Sequence, residues 1–146
     1  MTFLPLSRLF DGSRAPDCPV ALVDGRMIDF TAFRRDVAAN ARALRAAGCR
    51  RSALYCADSY WFAVGLLSLF HAGATVVLPA NGQPATLAAL ADRFDSLVAD
   101  PGAAAAPPTG RRSICLAAGT EADDEYPLQR FDPAAATLEC YTSGSA

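Results

Sequence analysis

The sequence predicts an α/β protein: a mostly parallel sheet with flanking helices, built from βαβ units and preceded by a β-hairpin. Three observations carry this. Asp24-Gly25 joins two β-type runs in "VALVDGRMIDF", and Asp-Gly in that position makes a tight hairpin, because both residues tolerate positive φ. Strand-like and helix-like segments then alternate over about fifty residues, the pattern of βαβ crossovers. "ATVVLP" is an uninterrupted apolar run, which suits a parallel strand covered on both faces.

The elements follow in order. Thr31 is the expected N-cap of a first helix. Phe33, Val37, Ala41 and Leu44 recur there at helical spacing, with Arg34, Arg35, Asp36, Arg42 and Arg45 between them. That pattern puts the first set on a core and the second in water, and Gly48 is the natural stop. Arg50-Arg51 reads as a solvated pair before a short strand, Ser52 to Cys56. Asp58 or Ser59 caps a second helix that runs to about Ala72 and ends at Gly73. Its sequence, "YWFAVGLLSLFHAG", is apolar nearly all round, so burial on more than one side is expected, with Trp61 and Phe62 in the core or an interface. His71 falls in the last turn, where a partly charged imidazole suits the helix dipole. Pro84 precedes a third helix, Ala85 to Phe94, and "SLVAD" follows as a strand. "PGAAAAPPTG" reads as a surface loop, "SICLA" as a strand and "GTEADDEYP" as a solvated acidic connection. Asp123, Asp124 and Glu125 show no metal-ligand spacing there. Asp132-Pro133 is turn chemistry, and "ATLECY" makes the last strand.

Composition narrows the function classes. A chain of 146 residues fits one domain, and 52% hydrophobic with 19% charged residues fits a globular core. A net charge of −2 gives no electrostatic footprint for nucleic acid or an anionic membrane. All 13 basic residues are Arg, so the chain supplies neither a Walker A Lys nor a Schiff-base Lys. Cys18, Cys49, Cys56, Cys115 and Cys140 form no C-x-x-C pair and are odd in number, which fits reduced thiols in the cytoplasm. The start, "MTFLPLSRLFDGSR", lacks the form of a signal peptide, and no run reaches the roughly 18 apolar residues of a membrane span.

The last strand runs straight into Thr142, Ser143, Gly144 and Ser145. Glycine lets backbone approach a ligand closely, successive turn amides form an anion-binding concavity, and hydroxyls add donors for phosphate oxygens. A parallel sheet binds ligands beyond the carboxyl ends of its strands, where this segment would lie. The same residue types also fill ordinary C-terminal tails.

From about Val20 onward the chain resembles the N-terminal part of the adenylate-forming (AMP-binding) superfamily: acyl-CoA synthetases, aryl-CoA ligases and peptide-synthetase adenylation domains. Four stretches carry the resemblance in the family's order: "ALVDGRMIDFTAFRRDVAANARALRAAGCR", "SALYCADSYWFAVGLLSLFHAGATVVLPAN", "QPATLAALADRFDSLVAD" and "DPAAATLECYTSGSA". The last resembles the approach to the family's phosphate-binding signature, Tyr-Thr-Ser-Gly-Ser-Thr-Gly followed by one residue, Pro and Lys. Thr142, Ser143, Gly144 and Ser145 match it, and Ala146 stands where Thr is usual.

The resemblance implies an incomplete N-terminal subdomain of a larger ligase fold, residues 1–146, ending inside the signature. It implies ATP with Mg²⁺ and a carboxylic acid as reactants, an acyl-adenylate and pyrophosphate as products, and coenzyme A or the phosphopantetheine of an acyl carrier protein as acceptor. Thr142, Ser143, Gly144 and Ser145 would cradle the ATP phosphates. The family's remaining machinery, including its catalytic Lys, follows the signature, so this chain alone is expected to be inactive, with no catalytic or metal-binding residue of its own. It is also expected to self-associate through a face that the rest of a ligase would cover. The alternatives are a non-catalytic α/β interaction module or degenerate homologue, and a small nucleotide-binding protein complete at Ala146.

Overall fold

Asp24 takes a φ of 50° and Gly25 one of 75°, the two positive values the hairpin turn requires. The computed structural model describes residues 3–102, 106–128 and 130–142. In it the turn joins β1 (Pro19–Val23) to β2 (Arg26–Asp29) as an antiparallel pair. The chain then alternates through α1 (Phe30–Ala46), β3 (Arg51–Tyr55), α2 (Ser59–Ala72), β4 (Thr75–Leu78), α3 (Pro84–Ala89), β5 (Ser96–Ala99), β6 (Arg112–Cys115) and β7 (Leu138–Cys140). The last five strands form one sheet in the order β6-β5-β3-β4-β7. Every pairing in it is parallel, as the apolar strand runs predict.

Strand alternation divides the core. Leu54, Val76 and Val98 pack with Leu44 and Leu69 on the α1–α2 face. Their neighbours Ala53, Val77 and Leu97 pack with Leu87 and Phe94 on the α3 face. A third cluster joins the hairpin to α1 and α2 through Ile28, Phe33, Val37, Tyr60 and Val64. Trp61 packs against two of these clusters and Phe62 against one, as expected of core residues.

Five expectations are corrected. The N-cap of α1 is Asp29, whose Oδ1 accepts from the Ala32 amide at 2.8 Å, while the Thr31 hydroxyl donates to the Pro16 carbonyl. A carboxylate two residues earlier is the better acceptor for the free amides. Asp36 is not on a water face. It is 8% exposed and accepts from the Tyr60 hydroxyl at 2.5 Å and the Gly119 amide at 2.7 Å. The third helix stops at Ala89, and a single 3₁₀ turn over Ala91–Arg93 then drops Phe94 into the core. The acidic connection is not wholly solvated: Asp123 is buried against Arg42 and caps its own 3₁₀ turn through Thr120, and Asp124 is held by Arg35. Arg51 is not a free surface cation but spans the sheet to Glu139 at 2.7 Å.

His71 also differs from the charged imidazole that a helix end favours. Burial first, then Arg45 and Arg34, push its pKa down to about 4. The folded state therefore binds this proton less readily than the unfolded chain, whose imidazole titrates near 6.5. Stability contributed by the neutral ring is complete above pH 6.5 and is lost as pH falls from there towards 4. After discounting for the ring's partial solvent access, the expected loss is on the order of 1–2 kcal/mol. Urea midpoints taken from pH 7 to pH 4.5 should fall in the wild type and fall less in His71→Gln.

Candidate functional site

The carboxyl ends of the five parallel strands form one rim, and four loops leave from it. After β3 the chain passes Cys56, Ala57 and Asp58 into α2. The Asp58 side chain caps that helix by accepting from the Tyr60 and Trp61 amides. Asp100, just beyond β5, accepts from the Ala57 and Asp58 amides at 3.0 and 2.9 Å. Its second oxygen is buried and has no hydrogen-bond partner among the described residues. Four amides at the start of α2, those of Ala57, Asp58, Tyr60 and Trp61, are thus already taken by two side-chain carboxyl groups.

The Cys56 thiol at the rim is not built for nucleophilic attack. Burial, then the charge of Asp100, push the Cys56 thiol up to about 12. A thiolate, not a thiol, is the reactive species. Cys115 points its sulfur at the Asp100 carbonyl, 3.8 Å away. After β4, Asn81 accepts from the Gln83 amide, and Gly82 lies so close over the Tyr55 ring that a Cβ there would stand 2.4 Å from Cε1. A glycine is needed for that approach, and it keeps the β4 exit loop against the sheet.

The chain also leaves the rim after β7, at one edge of the sheet. Leu78 pairs with Cys140, and the Tyr141 amide donates to the Leu78 carbonyl at 2.9 Å, so the ladder continues one residue past the strand. Tyr141 packs on the α3 face beside Tyr55 and Leu90. Its hydroxyl donates to Glu139, which also takes the Arg51 guanidinium. The Arg51 hydrogen bond is the main reason the Glu139 carboxyl sits below its usual range. Through these contacts β3 anchors β7, across β4, just before Thr142.

Thr142 therefore follows the strand at the carboxyl rim. Ser143, Gly144 and Ser145 lie outside the described residues. Sequence reasoning missed the Arg51–Glu139–Tyr141 anchor and the Asp100 carboxyl. The one available signal was a lone Glu inside an apolar edge run. Among the described residues no group of three or more His, Cys, Asp or Glu could hold a metal ion, and no helix is long and apolar enough to cross a membrane.

Solved structures match this arrangement. IdnL7 is 25% identical over 90% of this chain and 31% of its own, with a TM-score of 0.64. NpsA-ThdA, an artificially fused adenylation-PCP di-domain of a nonribosomal peptide synthetase from Klebsiella oxytoca, is 21% identical over 95% and 28%, at 0.67. The nonribosomal peptide synthetase FmoA3 in its AMPPNP-bound form is 14% identical over 86% and 14%, at 0.65. The chain thus spans less than a third of the length of each structure. No family model matches the sequence, and neither does any curated protein.

Proposed function

We propose that this chain, which carries the fold of the N-terminal subdomain of adenylate-forming ligases, belongs to an enzyme that activates a carboxylic acid with ATP. Residues 1–146 are one incomplete subdomain of that enzyme. The acyl-adenylate forms with release of pyrophosphate, and a thiol of coenzyme A or of a carrier protein's phosphopantetheine then takes the acyl group. An enzyme of this kind works in the cytoplasm, where ATP and reduced thiols are available.

One observation carries the reading: β7 lies parallel to β4 at the sheet edge and leads to Thr142 at the carboxyl rim, with Ser143, Gly144 and Ser145 next in sequence. The task of such a segment is to hold a triphosphate while negative charge moves onto the leaving pyrophosphate. Hydroxyls of Thr142, Ser143 and Ser145 and the backbone around Gly144 are the donor types for it, since fixed dipoles need no reorganisation as the charge develops.

A second reading, a non-catalytic interaction module, rests on the hairpin. Leu22 and Met27 face each other across it at 68% and 58% exposure, beside the half-exposed Val20. That apolar patch suits self-association.

ATP–pyrophosphate exchange over a panel of carboxylic acids separates the two. The 146-residue chain should show none. The product of the reading frame carried beyond Ala146 should show carboxylate-dependent exchange, lowered at least about tenfold in Ser143→Ala/Ser145→Ala. Exchange by the short chain overturns the reading. So does a longer product that exchanges with no acid, and one that also sediments as a dimer supports the interaction module.

A further inference from the structure

At the opposite pole of the sheet, where α1 and α2 end, a cavity of about 290 Å³ is lined by Arg45, His71, Pro127, Arg130 and Phe131. Arg45 is held at its edge by a 2.8 Å hydrogen bond from Nη2 to the His71 carbonyl, at the end of α2. The His71 ring is fixed edge-on to Phe131 at 5.3 Å and tilted against Phe10 at 5.5 Å. Among the described residues no hydrogen bond occupies its ring nitrogens and Arg130 has no ion pair.

The charge balance is unusual for this chain. Five other arginines, at positions 8, 35, 42, 51 and 111, each lie within 4.0 Å of an Asp or Glu. Among the described residues no carboxyl group lines this cavity. Of the acids on the neighbouring segment, Asp123 is held by Arg42, Asp124 by Arg35, and Asp132 accepts from the Ala134 amide, while Glu121 and Glu125 do not line the cavity. Arg34 adds a third positive charge nearby, with its guanidinium on the carbonyls of Asp124 and Tyr126. In a chain of net charge −2, this is a local surplus of cations without counter-ions.

We propose that the cavity binds a phosphate-class oxyanion, clamped by Arg45 and Arg130 with the His71 imidazole as a third donor. Guanidinium forks match tetrahedral oxyanions in geometry, and two of them offset a dianion. The site lies at the amino ends of the strands, so it is separate from the carboxyl rim and does not depend on the reading given above.

His71 is the only histidine, which makes its ring protons an unambiguous NMR probe. The 146-residue chain is titrated at matched ionic strength with chloride, inorganic phosphate, pyrophosphate and glycerol phosphate. At pH 7 at least one phosphate compound should move the His71 ring signals saturably, and chloride should not. In the same compound the ring's pKa should rise by at least one unit, because the anion offsets Arg45 and Arg34. Arg130→Ala should weaken the apparent affinity at least tenfold. Arg45→Ala should raise the pKa in chloride but abolish the phosphate-dependent increment. Free phosphate and a monoester are told apart by which arm saturates first. No saturable shift with any of the three, the same shift with chloride, or an undiminished response in Arg130→Ala overturns the proposal.

Discussion

Replacing Asp36 with Ala should cost about 2–4 kcal/mol, a large part of the stability of a domain this size. The Asp36 side chain is the shared acceptor for two donors from different parts of the chain. Tyr60 donates from α2 and Gly119 from the segment after β6. One turn on, Asn40 completes the clasp: its Oδ1 accepts from the Ala117 amide and its Nδ2 donates to the Ala117 carbonyl. Deleting the carboxyl leaves a buried hydroxyl and an amide without partners, each worth about 1–3 kcal/mol. Burial, then the hydrogen bond to Asp36, raise the Tyr60 hydroxyl's pKa, so Tyr60 stays a donor across the working pH range. Tyr60→Phe should cost less, about 1–2 kcal/mol, since the Gly119 bond survives. Asp36→Asn, which keeps one acceptor, should fall between wild type and Asp36→Ala. Urea midpoints at unchanged m measure all three. A shift below about 0.5 kcal/mol for Asp36→Ala would remove this clasp from the account of the fold.

The Asp36 contact also shows where sequence reading stops. The hairpin, the helix stop at Gly48, the Asp58 cap and the apolar run of β4 are legible because each signal lies within a few residues of the structure it produces. Asp36 has a polar neighbour on one side and apolar spacing on the other, and nothing local says which face it joins. Its partners lie 24 and 83 residues away. Arg51 and Glu139 are 88 residues apart and meet only because β3, β4 and β7 lie side by side. The short α3 is a third case: its helical composition continues past Ala89, and packing of Phe94 ends it early. At the candidate site, the order of elements and the parallel direction of β7 could be read, but the Asp100 carboxyl at the rim could not. The resemblance to adenylate-forming enzymes rests on four stretches in the family's order, the first three modest alone and the fourth, which carries the signature, more specific. The solved structures match that order as a fold.

Shortening Leu54 to Ala should cost about 3 kcal/mol, and adding a methyl at Gly65 should then recover part of it. Leu54 is 2% exposed in the middle of β3, facing α2. Gly65, midway along that helix, is where the helix meets the sheet. A Cβ there would stand 2.7 Å from Leu54 Cδ1 and 3.1 Å from Leu116 Cδ1. Gly65→Ala in the wild type sets two effects against each other. Helix propensity gains about 1 kcal/mol, and overpacking costs about 1–3 kcal/mol, so a net loss of about 1 kcal/mol is expected. Leu54→Ala alone opens a cavity in a close-packed core, with the loss typical of a buried leucine. In that background the clash with Leu54 is gone, the new methyl enters the vacated space, and only the milder Leu116 contact remains. Gly65→Ala should therefore become stabilising by about 1 kcal/mol there, which reverses its sign and gives a coupling of about 2 kcal/mol. Four urea curves complete the cycle. Additivity within about 0.5 kcal/mol would mean that α2 is held off the sheet by something other than the Leu54 side chain.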